Sequence, residues 1–236
     1  MSAEARASAL RGAVAIALAA IALTGAAARA AASAPDPTAD IPVGSLPAAC
    51  EAAGTGPTCE HAAVAALDRD RRAVGLRPYR LPAGFVKMPP AHQWLILANL
   101  DRAAYSFQLI TGTAMALNRV ARAGALARQD PDPWPLLHTL HGQTTIGFGS
   151  NWAGGQANAL LAYYGWMYDD GVGSGNIDCH APSDPGCWGH RHNILAFPHA
   201  AVLTMGAAAP SGTASYALTI VETSTAPWPF AYRGHA

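Results

Sequence analysis

The sequence predicts an α+β domain, on two observations. Apolar residues recur at helical spacing in four segments between residues 60 and 168. Near the end of the chain the period drops to two, over 201–207 and 216–222, around a Pro210-Ser211-Gly212 turn. Alternation with a period of two marks half-buried strands, and helices followed by a hairpin argue for a layered α+β arrangement.

Each element follows in order. Residues 31–59 carry Pro35, Pro37, Pro42 and Pro47 with little periodicity, which predicts an extended leader. A helical extension is expected over 60–90. Its helix, 60–74, sets Ala63, Leu67 and Val74 against Asp68, Arg69, Arg71 and Arg72, and Gly75 is placed to stop it. A proline-punctuated connection runs to Pro90. The domain proper is expected over 91–236. Its second helix, 91–104, presents Trp94, Leu95, Leu97 and Leu100, and a third covers 113–128 with Met115, Leu117, Val120 and Leu126. The Asp-Pro-Asp-Pro-Trp-Pro run at 130–135 ends it, because proline disfavours helix at its own position and at the residue before. A fourth helix, 156–168, opens after Gly154-Gly155, and the glycine-rich stretch 171–175 closes it.

The first thirty residues predict export. Arg6 and Arg11 precede an almost unbroken Ala/Val/Ile/Leu run from Gly12 to Ala26, and Ala28-Arg29-Ala30 supplies a small-x-small cleavage pattern. Such an order reads as a secretory signal peptide over 1–30. An apolar run of about 15 residues is shorter than the ~20 a spanning helix needs, so no membrane span is expected after cleavage. Removal of residues 1–30 leaves 12 Lys and Arg against 14 Asp and Glu, a net charge of −2. A chain this close to neutral lacks the basic footprint of a nucleic-acid or anionic-lipid binder.

Four cysteines, Cys50, Cys59, Cys179 and Cys187, form an even set in an exported chain and read as disulfides. Three pairings exist; the two local ones, Cys50–Cys59 and Cys179–Cys187, are favoured because each closes a short Gly-, Pro- or Asp-rich loop. Zinc is the competing reading, since His61 and His180 sit beside cysteines, but neither cluster has C-x2-C spacing.

The segment Trp188-Gly189-His190-Arg191-His192-Asn193-Ile194-Leu195 carries a family resemblance. Together with Trp166-Met167, the Gly149-Ser150-Asn151-Trp152-Ala153 stretch and Met205-Gly206, it resembles bacterial members of the CAP superfamily (cysteine-rich secretory, antigen 5, pathogenesis-related; SCP domains). The resemblance covers residues 92–225 and is specific chiefly over 149–206. It implies a three-layer α-β-α sandwich around a small antiparallel sheet. It also implies a cleft with two histidines and two acidic residues, able to hold a divalent metal in some members. Here His190 matches the second histidine, and the first is His138 or His141. The loop glutamate is replaced by Ser150, and the helix glutamate falls on an apolar position near Leu161. The acidic half of the site is therefore degenerate.

Local chemistry yields the candidate residues. His190 and Asp170, or Ser150 with both, are the candidate catalytic groups, because a carboxylate can orient an imidazole and an imidazole can activate a hydroxyl. Gly149-Ser150-Asn151 is not a Gly-x-Ser-x-Gly elbow, however. The candidate ligand cleft comprises Ser150, Asn151, Trp152, Asp169, Asp170 and His190, and the candidate metal ligands are His190 and His141. Asp169 and Asp170 could instead be solvated turn residues, and Asn193 a local cap. The leading expectation is a secreted, non-catalytic binding module for a small molecule, glycan or lipid-type ligand of the envelope. No cofactor is expected, with a divalent metal as the open alternative. A secreted hydrolase or metal-dependent enzyme built on His190 with Asp169 or Asp170, and a purely structural extracellular domain, are the other readings.

Overall fold

A computed structural model describes residues 37, 41–53, 56–137, 145–223 and 231–232. The predicted signal peptide, His138 and His141 lie outside the described residues.

The chain folds as mixed α+β, as the periodicities predict. Seven α-helices and a five-stranded sheet occur among the described residues. Strand β1 (Ile110–Ala114) runs parallel to β3 (Val202–Ala208), which forms the predicted hairpin with β4 (Ser215–Thr223). The long strand β2 (Thr145–Gly154) pairs antiparallel with β4, and the two-residue β5 (Ala231–Tyr232) pairs with β1, giving the order β2-β4-β3-β1-β5. The sheet is thus mixed where an antiparallel one was expected. Only β3 and β4 are held antiparallel by a tight turn; the long excursion between β1 and β3 leaves those two free to run the same way.

The predicted helices appear with shifted ends. They are α2 (Pro57–Ala73), α3 (Pro90–Ala104), α4 (Met115–Ala127) and α6 (Ala159–Tyr168). The third starts two residues late because 110–114 is taken by β1, and the fourth starts late because Asn158 caps it, its Oδ1 accepting the Leu161 N–H at 3.0 Å. Short helices α1 (Ala48–Ala53), α5 (Trp134–Leu137) and α7 (Gly189–Leu195) were not expected. A stretch read as an extended turn is therefore helical at His190.

Successive residues on a strand face opposite sides of a sheet. On β4, Leu218 and Ile220 join the large core with Trp94 and Leu97 of α3 and Leu160 and Met167 of α6, while Val221 joins a smaller cluster with Leu117 of α4. Helices therefore pack on both faces. Gly206 lets α4 sit directly on β3, since a Cβ there would run into the Leu117 backbone. The segment before residue 91 shares the large core: Cys59, Ala63, Leu67, Tyr79 and Phe85 belong to it.

Two buried ionic groups fix the helical side. Asp101 accepts from the hydroxyls of Tyr79 at 2.7 Å and Tyr163 at 2.6 Å and pairs with Arg71. Arg102, fully buried, donates to the carbonyls of Gln108, Ile194, Ala196 and Phe197. That clamp ties the end of α7 to α3 and so positions the helix that carries His190.

Candidate functional site

The site is assembled where α6 ends and α7 begins. Trp188, before α7, sits at φ 59° and its side chain caps nothing. Asp170 supplies the missing cap from across the chain: Oδ2 accepts the backbone N–H of His190 at 2.9 Å and, more distantly, of Arg191 at 3.4 Å. Its Oδ1 accepts from His190 Nδ1 at 2.6 Å and Asn176 Nδ2 at 2.9 Å. Asp170 is almost fully buried at 1% exposure, yet both its oxygens are satisfied.

Asn176 joins this carboxylate to the disulfide-closed loop. Its amide also donates to the carbonyls of Asp170 and Gly186, and its Oδ1 accepts the Asp178 N–H. The Trp188 N–H returns to the Asp170 carbonyl at 3.0 Å. Cys179–Cys187 closes the loop, and Cys50–Cys59 joins α1 to α2, so both local pairings form.

With Nδ1 committed to an acceptor, the His190 Nε2 is the ring atom left to the cleft. It lies 4.0 Å from Oδ1 of Asp130, an exposed residue just beyond α4. Burial pulls the His190 pKa down, but the Asp170 bond and the charges of Asp170, Asp130 and Asp178 more than offset this, so it lies above 6.5. Asp169 moves the other way for a carboxyl: burial, then repulsion from Asp170 and Asp70, raises it to about 6. Partial loss of hydration against the cleft wall also raises Asp130, with His190 and the Trp152 backbone working against that rise.

These groups border an open cleft of about 420 Å³, lined by Asp130, Trp152, Gln156, Asp169, Asp178 and His190 among others. Of the candidate cleft residues, Trp152, Asp169, Asp170 and His190 line this one cleft. Ser150 and Asn151 are not among the lining residues. Ser150 points across the sheet, its hydroxyl donating to Thr219 Oγ1 at 2.8 Å under near-complete burial. Strand alternation puts Ser150 on the face opposite Gly149 and Asn151, which face α7; Trp152 shares the Ser150 face but lies two residues nearer the end of β2 that borders the cleft. A Ser150–His190–Asp170 triad is therefore not assembled. Asn151 is structural, its Nδ2 donating to the His190 carbonyl at 2.9 Å, while Asn193 donates to the Ser150 carbonyl and to Asn151 Oδ1.

In comparisons with known proteins, no family model, no curated protein and no solved structure matches this chain.

Among the described residues, no three or more His, Cys, Asp or Glu side chains are grouped to hold a metal ion. Sequence reasoning missed Asp130, Gln156 and Asn176. Asp130 registered only as a helix breaker, and no local pattern joins a residue after α4 to a histidine sixty positions later. An Asn six residues after the paired aspartates in a Gly-rich loop was the one signal available for Asn176.

Proposed function

We propose that the chain is an exported CAP-like domain that binds a small ligand, of glycan, lipid or related envelope type, in the cleft beside Asp170 and His190, without catalysing its conversion. One observation carries this reading. The Asp170–His190 pair is braced by a helix terminus, an asparagine and a disulfide loop, yet its second imidazole nitrogen opens onto a cleft walled by Trp152 and three further carboxylates. Clefts with a few convergent polar groups on a partly apolar lining are the usual form of small-ligand sites. Helices on both faces of the sheet, with α7 carrying the Gly-His-Arg-x-Asn-Ile-Leu segment, favour the α-β-α layering that the CAP resemblance implies.

Export is supported by the sequence of residues 1–30 and by the two disulfides, which persist in oxidising compartments. No helix among the described residues is long and apolar enough to cross a membrane. Expression of the full chain with its natural N-terminus, followed by N-terminal sequencing of the external fraction, tests this part; a mature end near Ala31 is expected, and retention of Met1 in a cytoplasmic product overturns it.

The same dyad favours a second reading, a hydrolase in which His190 Nε2 moves a proton and Asp130 or Asp169 assists. Binding and turnover separate the two. Ligand binding that persists in His190→Ala, with no hydrolysis of ester, amide or glycoside panels by the parent, supports the module. Hydrolysis by the parent that disappears in His190→Ala supports the enzyme.

A further inference from the structure

The cleft lining carries more negative charge than the protein itself neutralises. Four carboxylates reach it from three separate segments: Asp130 after α4, Asp169 and Asp170 at the end of α6, and Asp178 immediately before the disulfide-closed loop. Against them stand only Arg128 and His190 in the same lining. Asp170 is committed to four internal donors, so it is held for structure. Asp169 differs. It is half-buried, and no hydrogen bond or ion pair engages its carboxylate among the described residues. Arg69 is spent on Asp70, a carboxylate whose charge reaches Asp169, in a two-bond pair at 2.6 and 2.7 Å.

A half-buried carboxylate without a partner is costly, and a bound cation is one way to recover that cost. The walls narrow the kind of cation. Trp152 lines the cleft with its indole edge tied to Ser215 Oγ at 2.8 Å, which fixes the ring. A fixed indole offers an organic cation an electron-rich surface. The volume of about 420 Å³ is that of a small-molecule site, well beyond a bare ion. The Gln156 amide adds a hydrogen-bonding group on the same lining.

We propose that the cleft selects ligands bearing a protonated amine, with the ammonium group beside Asp169 and Asp178 and the organic body against Trp152. This rests on the cleft being a ligand site, and it adds the charge class of the ligand. An amino sugar and a lysine-type side chain both present that ammonium group, so the test separates them.

The experiment uses the disulfide-intact mature protein and four probes: glucosamine, N-acetylglucosamine, Nα-acetyl-lysine amide and Nα-acetyl-norleucine amide, the acylation removing the α-amine that would otherwise be protonated in both amino-acid probes. Binding is followed by calorimetry and by the Trp152 indole N–H resonance. Each amine is compared with its neutral counterpart, in the parent, in Asp169→Asn, and in Glu60→Gln, whose carboxylate borders a different pocket. At least one amine is expected to bind about tenfold tighter than its neutral counterpart, since a charge-assisted hydrogen bond is worth roughly that factor. That advantage should fall several-fold in Asp169→Asn and persist in Glu60→Gln. Preference for glucosamine assigns an amino sugar; preference for Nα-acetyl-lysine amide assigns a basic side chain. Equal binding of amine and neutral probes, or an amine advantage untouched by Asp169→Asn, overturns the charge class while leaving the cleft as a ligand site. Amine binding that never moves the Trp152 resonance overturns the placement. Silence from all four probes overturns this inference and also counts against the cleft reading.

Discussion

His190 Nδ1 and Asp170 Oδ1 lie 2.6 Å apart, and the second oxygen of the same carboxylate accepts the backbone N–H of the same histidine at 2.9 Å. One side chain therefore caps a helix and orients the imidazole at its start. Asp170→Asn should separate these roles, because the amide retains an acceptor for the cap but offers no anion to the ring. The His190 pKa should fall below its parent value, since burial lowers it and only the weaker pulls of Asp130 and Asp178 then oppose that. In the parent, an imidazole whose pKa is higher folded than unfolded binds a proton on folding. Its stabilising contribution is thus complete below about pH 6.5 and fades as pH rises through the folded value. Urea unfolding across pH 5.5 to 8.5 should show this slope in the parent and a flatter one in Asp170→Asn, together with a loss of about 1 kcal/mol from the weakened cap. An unchanged imidazole titration by NMR would contradict the assignment.

Asp169 has the opposite relation to stability. Its folded pKa of about 6 exceeds the ordinary 3.8, so the folded state holds its proton more tightly than the unfolded state does. Stability is therefore lost as pH rises from about 4 through about 6, and Asp169→Asn should escape that loss. The variant should match the parent near pH 3.5 and exceed it at pH 7 by up to about 1 kcal/mol, the partial exposure limiting the gain. Greater stability with weaker amine binding would be the mark of a group kept for function. Thermal denaturation at the two pH values checks it.

The sheet and its helices were largely legible because they follow periodicity. Leu218 and Ile220 on one face with Val221 on the other, and the repeating apolar positions of α3, depend only on the chain's own spacing. Strand β2 was not legible: Gly147, Gly149 and Gly154 punctuate it, and the Gly149–Ala153 stretch was read as a loop. That reading hid the strand pairing with β4, in which Thr219 takes the Ser150 hydroxyl. His190 was visible through the motif around it, and Asp169 and Asp170 as paired carboxylates before the glycine-rich stretch, whereas Asp130 reaches the site only through tertiary packing of the α4 end.

Gly149 tests that packing. A Cβ there would lie 2.9 Å from both Cα and Cβ of Asn193, so α7 rests on bare backbone. Gly149→Ala must push α7 away from β2 or strain it in place, at a cost of about 1–3 kcal/mol. Because Asn151 holds the His190 carbonyl and Asn193 holds Ser150, the shift should reach the imidazole. The expected result is a lower melting temperature with altered His190 resonances. A normal melting temperature would show that α7 is not seated as described.

The two disulfides should differ in what they control. Cys50–Cys59 joins α1 to α2 beside the core, whereas Cys179–Cys187 closes a loop whose Gly186 carbonyl anchors Asn176, the residue that holds Asp170. Closing a loop of this length restricts the unfolded chain by about 2–3 kcal/mol in either case, so replacing either pair with alanine should lower stability by a similar amount. Only Cys179→Ala/Cys187→Ala should also loosen Asn176, and with it the Asp170 carboxylate that raises the His190 pKa. Imidazole titration by NMR, below the unfolding temperature of each variant, separates the two. A His190 pKa that falls in the Cys179/Cys187 variant and holds in the Cys50/Cys59 variant would make the second loop part of the site. Equal effects, or none, would reduce that disulfide to a general brace.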